Sequence, residues 1–181
     1  MGAWVGGNYW LDQSEMELNA AYVWNYFQAQ GWTLNAVAGM LGNMQSESHI
    51  NPGIWQGLDE GNLSGGYGIV QWTPATKFLN WCTDNGLIYT DMDANLQRII
   101  YEVENRLQWI KTPQFPLTFA EFTQSTEDAY YLAIAFLRNY ERPAELNQPW
   151  RGTQAETWFT FLGGLPKRKK GMPLYFYLRR Y

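Results

Sequence analysis

GMLGNMQSESHINPG, residues 39–53, is the stretch on which the reading of this chain turns. Val37, Met40, Leu41 and Met44 recur at helical spacing and lead into Glu47, and Pro52-Gly53 stops the run just beyond it. A carboxyl group at the end of an apolar helix is poorly hydrated. Burial raises a carboxyl pKa, and a carboxylic acid still protonated near neutral pH can donate its proton to a leaving group. Glu47 is therefore the first candidate for chemistry. Some twenty residues on comes GGYGIVQWTP, residues 65–74, where glycines surround Tyr67 and precede Gln71 and Trp72. Glycine lets backbone approach a ligand closely. Taken alone, each segment has an ordinary explanation, a solvated helix end in one case and turn glycines in the other.

Reading outward, Ser14 followed by Glu17 has capping-box spacing and opens a helix to about Gln30. Thr33 caps the next, about Leu34 to Ser48, which carries Glu47. Residues 51–75 are rich in Gly, Pro and Asn and read as turns with a short β-hairpin, Ile69-Val70 being its best strand core. Helices are expected again over 75–85, 93–110 and 126–140, and from Gln154 to Leu162, with a short turn or helix at 118–125. Glu127 and Asp128 suit the first turn of the 126–140 helix. The expected fold is α+β and mostly α, with one small β-hairpin after the Glu47 helix. Residues 1–13 read as a loose lead-in, 14–163 as the catalytic domain, and 164–181 as a basic aromatic tail.

The chain has 181 residues, enough for one domain with two lobes, and 46% of them are hydrophobic. Ten Trp, twelve Tyr and nine Phe exceed what a core normally uses. Flat rings with a polar edge suit surfaces that stack on sugars, although core packing accounts for more than half of them. Seventeen acidic residues precede Lys167 against seven basic ones, so the body is acidic and nucleic acid is disfavoured as a ligand. The last fifteen residues, KRKKGMPLYFYLRRY, carry six basic residues and no acid. They suit an anionic surface such as wall polymers, or simply a solvated end. One cysteine, Cys82, excludes an internal disulfide, and one histidine, His49, excludes a two-histidine zinc site and makes a Cys–His nucleophile unconvincing. No signal peptide and no membrane span are expected, and no metal or cofactor is required.

A third segment, Arg138-Asn139-Tyr140-Glu141-Arg142-Pro143, ends a long helix and could close a cleft floor or simply lock a helix end through an Arg–Glu pair. The order Glu47-Ser48, then Gly66-Tyr67-Gly68-Ile69-Val70-Gln71, then Tyr140 resembles the motif layout of goose-type lysozymes and soluble lytic transglycosylases. The strings GMLGNMQSES, INPG, LDEGN, QWTPA, RIIYEV and YERPAELNQPWRGTQAE are similar to the phage tail-lysozyme domain, over about residues 15–162. That resemblance implies a lysozyme-like fold and a muramidase acting on peptidoglycan glycan strands, with its catalytic glutamate at Glu47. It also implies a place at the virion tail, among other tail proteins, or release to the host wall. In tail-tip proteins a second domain follows the lysozyme domain, so a free-standing endolysin and a segment of a longer protein are both open.

A glycosidase transition state is oxocarbenium-like and needs a carboxylate on its other face. Asp59 and Glu60 are the preferred candidates, because that loop lines the cleft in lysozyme-like folds, and Glu141 is the third. Substrate contacts are expected from Ser48, Trp55, Tyr67, Gln71, Trp72 and Tyr140. Without a second carboxylate in the cleft, a lytic transglycosylase is the better reading, and a wall-binding module without chemistry is the rival from another class.

Overall fold

A computed structural model describes residues 3–165; the basic tail anticipated from the sequence lies outside the described residues. Helices dominate: α1 Gln13–Ala29, α2 Leu34–Ser48, α3 Thr76–Asp84, α4 Met92–Glu104, α5 Phe119–Gln124, α6 Ala129–Phe136 and α7 Trp150–Gly164, with a wide π-turn at Leu137–Glu141 directly after α6. The expectation of a mostly helical, lysozyme-like chain agrees with this.

Helix α2 is the axis of the molecule. Every residue from Ala36 to Met44 is buried, and α7 and α6 pack along it. Val37, Met40, Leu41 and Met44 are wholly inaccessible, each contributing about 1.5–3 kcal/mol relative to an exposed side chain. Such close packing requires small residues. A Cβ on Gly39 would lie 2.8 Å from Leu132 Cβ of α6, and one on Gly42 would lie 2.9 Å from the Ala155 amide nitrogen of α7. Thr33 caps α2 as its sequence suggests, its hydroxyl accepting from the Ala36 amide. At the other end His49 and Ile50 both take positive φ, 55° and 57°. A β-branched residue rarely adopts that conformation, and complete burial of Ile50 holds it there.

Several boundaries differ from the sequence reading. The capping box of α1 is Asp12 with Glu15, not Ser14 with Glu17; the Ser14 hydroxyl donates to Asp12 Oδ1 instead. Helix α4 stops at Glu104, because Arg106 and Gln108 take φ of 56° and 63° and turn the chain away. Asp128 is the N-cap of α6, so Glu127 and Asp128 precede the first turn rather than form it. Helix α7 begins four residues earlier than expected, after Pro149. Proline pre-sets a helix-compatible φ at such a start.

The anticipated β-hairpin is absent among the described residues. Two isolated antiparallel bridges, Trp55 with Tyr67 and Tyr67 with Trp72, stand in its place. Gly68 at φ 81° and Gln71 at φ 51° fold Ile69-Val70 into a tight turn, and a ladder cannot extend through such dihedrals. Residues 51–75 form an irregular lobe beside the helices, stitched by Gln56 N to Gly66 O and Gly68 N to Ile54 O. Ser48 fixes the lobe to α2, its hydroxyl donating to Ile69 O at 2.7 Å.

The lead-in is tied down rather than loose. Asn19 and Asn51, both completely buried, hydrogen bond to the backbone of Val5, Gly7 and Tyr9. No helix among the described residues is long and apolar enough to cross a membrane.

Candidate active site

The end of α2, the 51–75 lobe and the π-turn after α6 enclose a cleft of about 530 Å³. Glu47, Glu141, Gln71, Trp72, Tyr140 and Trp55 all line it, together with Trp10, Gln56, Gly57, Lys77, Gln108 and Arg142. That size suits a sugar-ring site with a few directed polar groups. The structure thus brings together the helix-end glutamate, the turn residues and the late Tyr-Glu segment, which lie up to ninety-odd residues apart.

Glu47 keeps 21% of its side chain accessible and pairs with Arg151, whose Nη2 donates to Glu47 Oε1 at 2.6 Å. Arg151 is itself held on three sides. Its Nη1 donates to Asn43 Oδ1 and its Nε to Gln148 Oε1, while Asn43 Nδ2 donates to Gly39 O and Ala133 O. The Glu47 carboxyl is therefore oriented by the packed faces of α2, α6 and α7. Sequence reasoning missed Arg151. Its one available signal was Pro149 in PWRG, which marks a helix start and puts Arg151 in the first turn.

Glu141 is the second cleft carboxyl. The residue is partly accessible at the rim, but its Oε1 is enclosed and has no hydrogen-bond partner. The carboxyl's own surroundings govern its ionisation. Burial, and then the negative charge of Glu47, push its pKa well above the usual carboxylate range, against the opposing pull of Arg151. Two acids in unlike environments are the arrangement that separates proton donor from anion in acid–base sites. The π-turn creates this placement. Arg142, left-handed at φ 49°, closes it by donating its amide to Leu137 O. The buried side chain of Asn139 ties it to the Thr112–Phe115 segment. Inserted π-turns recur at functional sites.

A third acid, Glu102, was quoted within RIIYEV but given no role by the sequence. It is almost completely buried beneath the cleft. Its Oε1 accepts from Trp72 Nε1 and Arg98 Nε, both at 3.0 Å, and its Oε2 accepts from the Tyr140 hydroxyl at 2.5 Å. One carboxylate therefore fixes both Trp72 of the lobe and Tyr140 of the π-turn. Burial raises the Glu102 pKa and, together with the Glu102 charge, raises that of Tyr140.

Other candidates fall elsewhere. Asp59 and Glu60 are exposed on the turn after Gln56–Leu58 and do not line the cleft; Asp59 Oδ2 accepts from Asn62 Nδ2. The sequence favoured this loop for the second carboxylate, but the carboxyl that lines the cleft with Glu47 is Glu141, and the loop turns through the left-handed residues Gly57 and Leu58. Tyr67 is wholly buried under the lobe, packed against Trp55 and Phe78. Ser48 is buried and donates to Met44 O and Ile69 O, so neither reaches the cleft. Gln71 lines the cleft, but its Nε2 donates to Ile54 O and Gly68 O, leaving Oε1 as the group for a ligand. No cluster of metal-ligating side chains occurs among the described residues.

A helical core that buries the acid-bearing helix, flanked by a glycine-rich lobe across a two-carboxyl cleft, defines the lysozyme-like class. The chain belongs to the phage tail lysozyme family, whose model matches residues 18–162. Among characterised proteins it is similar to morphogenesis protein 1 of Bacillus phage B103, with 59% identity over 157 residues. That match covers 87% of this chain and 42% of the relative, so the chain spans less than half the relative's length.

Proposed function

We propose that this domain is a muramidase that hydrolyses the β-1,4 bond between N-acetylmuramic acid and N-acetylglucosamine in peptidoglycan, opening the wall for a phage. Peptidoglycan glycan strands are its substrate, and the other tail proteins of the particle are its partners. The observation that carries this reading is the accessible Glu47 in a sugar-sized cleft, with the enclosed carboxyl of Glu141 beside it.

Of the two cleft carboxyls, Glu141 is the one held in its protonated form above the usual carboxylate range, by burial and then by the Glu47 charge. Glu47 is the member that substrate can reach, and it delivers the proton to the bridging oxygen as the glycosidic bond breaks. Both carboxyls are then anionic beside a sugar ring that has become positive, which is the charge an oxocarbenium-like transition state requires. Water adds at the anomeric carbon and its proton returns to the pair, restoring the starting state. Arg151 keeps Glu47 aimed, and Tyr140 and Trp72, both fixed by Glu102, shape the floor.

Replacing Glu47 with Gln is expected to keep the fold and lower wall clearing by about 10²–10⁴-fold, the usual contribution of a general acid. A turbidity-clearing rate equal to the parent's would end this reading.

One observation favours a second reading. Glu141 Oε1 is enclosed and Asp59 and Glu60 lie outside the cleft, so no second fully open carboxylate faces Glu47 among the described residues. A lytic transglycosylase, in which one glutamate serves as acid and then as base, needs no more. Mass spectrometry of peptidoglycan digests separates the readings: reducing muramic ends mark a muramidase, anhydro ends a transglycosylase, and no products a binding module.

A further inference from the structure

The family match begins at residue 18, yet the segment before it is built into the cleft. Asn19 exchanges two hydrogen bonds with Val5, its Oδ1 accepting from Val5 N at 2.9 Å and its Nδ2 donating to Val5 O at 2.8 Å. Asn51 Nδ2 donates to Gly7 O at 2.8 Å and Tyr9 O at 2.7 Å. Asn8 reaches across to the lobe, accepting from Trp55 N and donating to Leu58 O. Close packing reinforces the hold, since a Cβ on Gly53 would lie 2.9 Å from Gly7 N. Two wholly buried asparagines committed to holding one surface segment amount to a built strap, because a buried amide is costly unless fully bonded.

The strap delivers Trp10. Its indole lies against the His49 ring, centroids 4.8 Å apart, two residues beyond Glu47. The His49 Nδ1 hydrogen bonds to Leu11 O at 3.2 Å, fixing the platform from beneath. Trp10 remains 49% exposed and lines the same cleft as Glu47 and Gln56. The other cleft aromatics, Trp55, Trp72 and Tyr140, are all buried. Trp10 is the cleft's one broad, accessible ring face among the described residues.

We propose that the N-terminal strap adds a saccharide subsite to the cleft, in which Trp10 stacks on a pyranose ring of the glycan strand. This rests on the reading of the cleft as a glycan site. A pyranose has one face of axial C–H groups, apolar and flat, and an indole face complements it while hydroxyls and acetamido groups stay hydrated. Gln56 lines the same cleft, and its Oε1 accepts from Gly66 N at 2.8 Å, which leaves its Nε2 as the group available to a ligand acceptor. The subsite lengthens the groove on the strap side of Glu47 and makes strand length a determinant of affinity.

The test compares the full chain with its Trp10→Ala and Trp10→Phe variants on purified glycan strands of two, four and eight disaccharide units. The expected result is a KM raised about 3–10-fold for the longest strands by Trp10→Ala. The loss should grow with strand length, fall mainly on KM rather than kcat, and be partly restored by Trp10→Phe. Calorimetry in the Glu47→Gln background should show the same ordering in affinity. Equal KM values for parent and Trp10→Ala on every strand, or a loss confined to kcat, would overturn the subsite while leaving the muramidase reading intact. If the parent neither cleaves nor binds strands of any length, the glycan reading itself falls and the subsite with it.

Discussion

In the proposed reaction Glu47 and Glu141 divide the demands of acid catalysis between a carboxyl open to substrate and one with an enclosed oxygen. The sign of the resulting pH dependence follows from the raised pKa of Glu141. A buried acid with a raised pKa binds more protons folded than unfolded, so its stabilising share is complete below its unfolded value. That share is lost as pH climbs through the folded value. The protein should therefore lose stability from about pH 4.5 upward across the window set by Glu141, with Glu102 adding in the same direction. Glu141→Gln removes that charging cost. At pH 7 its melting temperature should exceed the parent's, by roughly 2–4 °C for each kcal/mol relieved, and its stability should depend less on pH, while wall clearing drops. Melting curves at pH 4, 5.5 and 7 check this, and a variant whose pH dependence matches the parent's would remove Glu141 from the account. Arg151 belongs to the same scale. Arg151→Met leaves Glu47 unpaired and Asn43 without its donor. It should cost about 3 kcal/mol in urea unfolding, the low end for breaking a buried pair because Glu47 keeps some access to water.

At the scale of elements, the geometry of the site follows from how closely α7 and α6 approach α2. Gly42 is the tightest point. A Cβ there meets the Arg151 carbonyl oxygen at 2.3 Å, and backbone cannot step aside as a flexible side chain can. Gly42→Ala should push the first turn of α7 outward and cost about 1–3 kcal/mol. Because Arg151 rides on that turn, wall clearing should fall more than the stability loss explains, and an activity loss no larger than the unfolded fraction would sever the link between packing and site. The π-turn after α6 makes the complementary contribution, since its extra residue per turn carries both Tyr140 and Glu141 to the cleft.

At the scale of the whole molecule, Glu102 joins the parts. Its carboxylate takes Trp72 from the lobe, Tyr140 from the π-turn and Arg98 from its own helix. Glu102→Ala would strand two buried donors and a cation at once, and should cost about 3–5 kcal/mol in urea unfolding. The expected signature is a lower midpoint together with a weakened substrate KM, because the cleft walls lose their shared anchor. A variant as stable as the parent would mean that the lobe is held by the aromatic packing of Tyr67, Phe78 and Trp72 alone.

The sequence by itself determined what short-range patterns can encode. Helical spacing and the Thr33 cap located α2 and put Glu47 near its end, and the quoted motifs carried the family. Gly-rich composition located the lobe but not its form, because a hairpin and a string of left-handed turns share the same residues; the dihedrals at Gly68 and Gln71 chose the turns. Only the tertiary structure decided which carboxyl lines the cleft with Glu47, that Arg151 orients it, that Glu102 joins Trp72 to Tyr140, and that the segment 5–10 carries Trp10 into the cleft. These are contacts between residues some thirty to a hundred positions apart. Their energies depend on burial and on the mutual approach of helices, and no local pattern records either.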